Sequence, residues 1–257
     1  MKIKQVLEAL EKFAPLPLQE SWDNAGLQIG LTEAEVSGAL LCLDVTEKVI
    51  AEAVAKGCNL VVSHHPLLFR GLKQVSDMTD VQRTVRGAIK NDVCVVSMHT
   101  NMDSARGGVN FKIAERLGLV DVDFGTPGAD SGQWVMGRMA EAVSAADFIT
   151  HVKHRMEAPH AMCNELLHRP VERVAICGGA GDFLIDEVAQ AGADAFITGE
   201  MHYHQYFGRE QQLQLCVIGH YESEHFTTEV FRDIISRDCP GVPTFIAETN
   251  TNPIVYL

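Results

Sequence analysis

Short apolar segments alternate with amphipathic ones along most of this chain, and that alternation restricts the fold more than any other feature of the sequence. An apolar run at 39–43 precedes a helix-like stretch at 47–56 and a second apolar run at 60–62. The order continues with a helix-like stretch at 81–90, a strand at 93–97, and a segment carrying Val109, Ile113 and Leu117 on one helical face. Strand, crossover helix and strand make a β-α-β unit, whose parallel strands lie beneath helices and so read as continuous apolar runs. Ahead of these units Ile3, Val6, Leu7, Leu10 and Phe13 recur at helical spacing. That helix must stop at Ala14-Pro15-Leu16-Pro17, because proline lacks an amide donor and clashes with the preceding turn.

The chain also resembles itself. Displaced by 135 residues, 51–65 (AEAVAKGCNLVVSHH) lies over 186–200 (DEVAQAGADAFITGE) without a gap, and a separate displacement of 122 sets Cys94-Val95-Val96-Ser97 over Cys216-Val217-Ile218-Gly219. Any two β-α-β units share part of such a pattern, so the order of elements is the stronger guide. Phe124-Gly125-Thr126-Pro127-Gly128 is dense in glycine and proline and marks a connection. The expected fold is α/β: two similar β-α-β domains with largely parallel sheets flanked by helices. The expected division gives residues 1–125 with 220–257 to a first domain and 126–219 to a second, smaller one. Extended pieces at 243–248 and 253–257 could add to either sheet.

Charge narrows the partners. The 21 basic and 34 acidic residues give −13, which repels phosphate backbones and anionic lipid, so neither non-specific nucleic-acid binding nor membrane association is expected. A phosphorylated substrate is still allowed, because a cation held in a pocket inverts the local field. The opening MKIKQVLEALEKF carries charges every few residues, so no export signal is expected. The longest uncharged apolar stretch, 36–43, is far shorter than the roughly 18 residues of a membrane span. Seven scattered cysteines without a C-x-x-C pair suit a reducing cytoplasm rather than a disulfide framework.

The chemistry gathers at strand ends. His64-His65 follows the apolar run 60–62 directly, and in open parallel sheets the carboxyl ends of strands face the ligand crevice. Two histidines in a surface turn would read the same way. The strand at 93–97 leads into His99-Thr100-Asn101-Met102-Asp103, where Asp103 is either a ligand or a helix-start aspartate. The strand at 215–218 leads into Gly219-His220-Tyr221-Glu222-Ser223-Glu224, and His220 and Glu224 share one side of a helix if it turns from Tyr221. Mixed imidazole and carboxylate ligation suits zinc, iron, manganese, cobalt or nickel. Five such ligands exceed what one open catalytic zinc uses, and suit two ions roughly 3.5 to 4 Å apart.

Four segments resemble one family, the homologues of GTP cyclohydrolase 1 type 2, also called YbgI-like or Nif-three-like proteins. They are Trp22-Asp23-Asn24-Ala25-Gly26-Leu27-Gln28; Ser63-His64-His65-Pro66; His99-Thr100-Asn101-Met102-Asp103 with Gly107-Gly108-Val109-Asn110; and Gly219-His220 with Glu224. The resemblance implies a two-domain α/β protein with two divalent metals in a cleft between domains, assembled as a homohexamer. It carries the family's metal ligands onto His64, His65, Asp103, His220 and Glu224. It implies a metal-dependent hydrolase acting on a small-molecule substrate, a nucleotide among the candidates, although no phosphate-cradling G-x-x-x-x-G-K-[ST] segment is present. A non-catalytic metal-binding scaffold or regulatory protein acting through protein partners would need the same ligands. No catalytic acid or base is singled out; His99, Glu200, His202 and His204 are candidates to orient ligands or carry protons. Trp22 reads as core or as cleft lining.

Overall fold

The computed structural model describes residues 1–257. Its elements in chain order begin with α1 (Ile3–Phe13), β1 (Gly26–Ile29), β2 (Ala39–Cys42), α2 (Glu47–Ala55), β3 (Leu60–Ser63), α3 (Asp80–Lys90), β4 (Cys94–Ser97) and α4 (Thr100–Asp103). They continue with α5 (Val109–Leu117), β5 (Val120–Phe124), β6 (Val135–Val143), α6 (Ala145–Arg155), β7 (Met162–Cys163) and β8 (Val171–Cys177). Then come α7 (Ile185–Gln190), β9 (Ala195–Thr198), β10 (Gln214–Val217), α8 (His220–Glu224), α9 (Thr227–Asp238) and β11 (Thr244–Ile246). The fold is α/β, with two sheets flanked by helices, and no helix is long and apolar enough to cross a membrane.

The first unit is Met1–Ala105 with Thr227–Val255. Its sheet runs β1-β4-β3-β2-β11, with β11, β2, β3 and β4 parallel and β1 antiparallel at the edge. All four residues of β2, of β3 and of β4 are buried, as expected for strands covered on both faces. Leu40, Val61 and Val95 pack against Val49, Ile50 and Ala53 of α2 and Val85 and Ala88 of α3. Side-chain hydroxyls of Thr46 and Thr79 cap α2 and α3, which fixes where each crossover helix starts. The stretch at 243–248 resolves: Thr244–Ile246 pairs with β2, whereas 253–257 forms no strand.

The second unit is Arg106–Phe226 with Tyr256–Leu257. Its sheet runs β5-β6-β8-β9-β10-β7 and is parallel only at its centre, β8-β9-β10; β5, β6 and β7 join antiparallel. Ala175, Phe196 and Leu215 pack against Ile185 and Val188 of α7 and Leu184 just before it. Backbone pairing therefore takes β5 into the second sheet through β6, and α5 packs on β6 and β8, so 106–125 group with the second unit rather than with 1–105. His220 and Glu224 belong to the second unit too, because α8 follows β10 and packs against α5. The glycine- and proline-rich segment after Phe124 is a short connection, and the residues beyond it build β6 and α6.

Candidate metal centre

In the first unit the parallel ladder runs past the strand ends and fixes the histidines' backbone. The His64 and His65 amides donate to the Cys42 and Leu43 carbonyls at 3.2 and 3.0 Å, and the Met98 amide donates to Ser63 at 2.9 Å. Ser63 and Ser97, both buried, donate their hydroxyls to the His65 and His64 carbonyls at 2.9 and 2.7 Å. Polar serines thus end two apolar strands where the turns need donors.

Each imidazole is then oriented through Nδ1. His64, 0% exposed, faces the Met98 carbonyl at 2.9 Å; a carbonyl only accepts, so Nδ1 carries the hydrogen and Nε2 carries the lone pair. His65 Nδ1 lies 2.8 Å from Asp44 Oδ1, and the Thr251 hydroxyl donates to Asp44 Oδ2 at 2.7 Å. Burial pushes the Asp44 carboxyl up, but hydrogen bonds from His65 and Thr251 and the nearby imidazoles outweigh it and hold the pKa below its ordinary value. His99 Nδ1 lies 2.7 Å from Asp23 Oδ1, while the Thr100 amide and hydroxyl donate to Asp23 Oδ2 at 3.1 and 2.5 Å. Burial again raises that carboxyl, and the His99 and Thr100 hydrogen bonds win, bringing it to about 2.

One ligand-type atom each from His64, His65 and His99 lie within 4.8 Å of one another, a group that could hold a metal ion. His64 Nε2 is also 3.6 Å from Asp103 Oδ1 at the end of α4. With Nδ1 protonated, a lone pair there faces an anionic oxygen, an arrangement that a cation relieves.

The second unit repeats this logic on a helix. His220 and Glu224 stand one turn apart on α8, with His220 Nδ1 3.0 Å from Glu200 Oε1 and Nε2 3.0 Å from Glu224 Oε2. One ring proton cannot serve both carboxylates, so the second contact requires a further proton or a metal ion, and Glu224 is buried. Glycine lets α8 come this close. A Cβ on Gly199 would meet the Gly179 carbonyl oxygen at 2.7 Å and the His220 Cα at 2.9 Å. Ser223 completes the packing, accepting from the Gly179 amide at 3.0 Å and donating to the His220 carbonyl at 2.8 Å.

The family model for Duf34/NIF3 (NGG1p interacting factor 3) matches residues 1–253. The chain belongs to this family. A relative in Clostridium perfringens, named GTP cyclohydrolase 1 type 2 homolog, is 32% identical over 228 residues, covering 87% of each chain. A relative of the same name in Lactococcus lactis is 31% identical over 260 residues, covering 98% of each. Among solved structures, a Staphylococcus aureus hypothetical protein superposes with a TM-score of 0.91 at 26% identity, covering 100% of this chain and 99% of that one.

Within this Duf34/NIF3 chain, the first unit brings His64, His65 and Asp103 into one neighbourhood, and the second brings His220 to Glu224. Of the candidate orienting groups, Glu200 does orient a histidine. His99 instead stands beside His64 and His65 as another carboxylate-backed imidazole. His202, 89% exposed in its side chain, pairs with Asp182, and His204 lies near the rings of Tyr203 and Phe207. Sequence reasoning assigned no role to Asp44 or Asp23. Asp44 sits just past β2 and could have been found by the same strand-end rule that singled out His64; Asp23 lies in a loop and carried no periodic signal.

Proposed function

We propose that His64, His65, Asp103, His220 and Glu224 hold two divalent metal ions per chain and that the protein is a metal-dependent hydrolase acting on a nucleotide or related small molecule. The observation that carries this reading is the repeated pairing of a histidine with a carboxylate or carbonyl through Nδ1, at Met98, Asp44 and Glu200, which turns each Nε2 into a lone-pair donor. The donor set of imidazole and carboxylate suits zinc, iron, manganese, cobalt or nickel. Divalent ions there supply Lewis acidity, polarising an electrophile and acidifying water.

The chain's own residues supply the remainder. His99 is the proton carrier in this reading: Asp23 fixes its Nδ1 tautomer and stabilises the imidazolium that forms when Nε2 takes a proton. Because Asp23 stays ionised down to about pH 2, that support is present throughout the neutral range. Nucleotide hydrolysis of the GTP cyclohydrolase type is suggested by the relatives' names. By the family resemblance the protein assembles as a homohexamer, and its seven free cysteines suit a cytoplasmic setting.

The test is metal content by elemental mass spectrometry for wild type, Asp103→Ala and His99→Gln, followed by a hydrolysis screen over nucleotides and phosphoesters with the loaded proteins. The expected result is about two metals per chain in wild type and His99→Gln, fewer in Asp103→Ala, and turnover only in wild type. Full metal loading without turnover on any substrate would point to a metal-binding scaffold. No metal after reloading would remove the ligand assignment.

A further inference from the structure

We propose that Trp22 and Phe69 form a stacking platform for a planar heteroaromatic ring of the substrate, beside the histidine cluster of the first unit. The inference rests on the catalytic reading of that cluster and adds the chemical class of molecule that it receives. Trp22 is 57% exposed and Phe69 47%, and their ring centroids lie 5.7 Å apart at an interplanar angle of 47°. Both rings meet His99 edge-on, with centroids at 6.0 and 6.3 Å. His99 in turn lies 5.2 Å from the His64 ring and 5.4 Å from the His65 ring. The aromatic surface is therefore continuous with the cluster that could hold a metal.

The rings are exposed but their backbones are tied down. Next to Trp22, Asp23 accepts hydrogen bonds from Thr100 and His99. Asn24 Nδ2 donates to the Leu68 carbonyl at 2.7 Å, the Leu68 amide donates to Gln28 Oε1 at 3.1 Å, and Gln28 Nε2 donates to the Asn24 carbonyl at 2.6 Å. These bonds lash the loop bearing Trp22 to the loop bearing Phe69. Two large rings held in water in a fixed arrangement forgo the stabilisation of burial, and a pre-ordered apolar face recovers it when a ligand covers it.

The tilt leaves no parallel slot between the rings, so a planar ligand lies on the indole with Phe69 at its edge. Asn24 and Gln28 are engaged in the loop ties, so recognition comes from stacking area rather than from hydrogen bonds to one base. Purines should therefore bind better than pyrimidines, with little discrimination between one purine and another.

Trp134, the other of the two tryptophans, is 4% exposed and donates to Glu187, so Trp134→Phe leaves Trp22 as the sole indole reporter. Trp134→Phe is titrated with guanosine, adenosine and uridine 5′-monophosphates and with ribose 5-phosphate, both metal-stripped and metal-loaded. The expected result is saturable quenching by both purine nucleotides, weaker quenching by uridine monophosphate, and none by ribose 5-phosphate. By calorimetry on the full chain, Trp22→Leu should weaken purine binding about tenfold or more, Trp22→Phe should restore most of it, and Phe69→Leu should fall between them. Metal content should be unchanged in all three variants.

Equal affinity for Trp22→Leu and wild type, or equal quenching by ribose 5-phosphate, would overturn the platform. So would a change in sedimenting mass on Trp22→Leu, which would make these rings a contact between copies of the chain. Metal-free wild type that resists loading would instead overturn the metal reading, and the stripped-protein titration would still judge the platform.

Discussion

In the first unit the residue after the β3 turn is His65, oriented by Asp44 from the end of β2; in the second unit the corresponding residue after β9 is Glu200, and it orients His220 from beyond β10. The backbone pairing is alike in both: the His65 amide donates to Leu43 and the Glu200 amide to Gly179, while Ser63 and Thr198 end their strands fully buried. The surroundings differ. The first unit crosses from β3 to β4 through α3 and offers imidazoles on loops, whereas the second passes from β9 to β10 with only a short 3-10 turn and offers its pair from α8, seated on glycine. Strand ends in a parallel sheet thus specify a place for chemistry, while the residue at that place differs in role: His65 is a proposed ligand and Glu200 an orienting partner.

The comparison is broken most sharply by removing one donor from each unit. His65→Ala and His220→Ala should each reduce metal affinity by more than the roughly 10–100-fold typical of losing an outer partner. Elemental analysis across a chelator series checks this; an unchanged metal content in either variant would mean that the histidine removed is not a ligand. Next, Asp44→Ala and Glu200→Gln should each cost about 10–100-fold in metal affinity. Asp44 should show the larger loss, because its carboxylate is fixed by two side chains and is less exposed than that of Glu200.

A smaller effect concerns the acid limb of stability. The Asp23 carboxyl is depressed from 3.8 to about 2 in the folded chain, so it contributes stability that is complete above 3.8 and is lost as pH falls through about 2. Asp23→Asn should cost about 2 kcal/mol at neutral pH and flatten the loss of stability over that window. Urea unfolding at stepped pH reads it; a wild-type-like acid limb would refute the assignment. The smallest effect is expected at the exposed pair, where His202→Ala should leave metal affinity within about twofold, since an exposed pair is worth little. A tenfold loss there would move His202 from the surface into the metal-binding arrangement.

Much of this is legible in the sequence. The β-α-β order follows from apolar runs at 39–43, 60–62 and 93–97 separated by amphipathic stretches, and each became a buried parallel strand. The five proposed ligand positions stand out because histidines and carboxylates recur just after such runs. Asp44 was missed because a lone aspartate after a strand also reads as a turn residue. The grouping of 106–125 was not legible, because β5 is largely exposed and its place depends on pairing with β6 and not on any pattern of its own.

The sequence alone determined the α/β class, the crossover helices and the residues standing at strand ends, since local periodicity and residue type fix those. Tertiary structure alone decided which nitrogen of each histidine is occupied, because Met98, Asp44, Asp23 and Glu200 are brought to their rings by neighbouring strands and loops. It alone decided that Trp22 stays in water rather than in the core, because Asn24 donates to the Leu68 carbonyl and Gln28 accepts from the Leu68 amide, which holds its loop against the one that carries Phe69. Partners distant in sequence leave no periodic trace in a single chain, and only folding makes them neighbours.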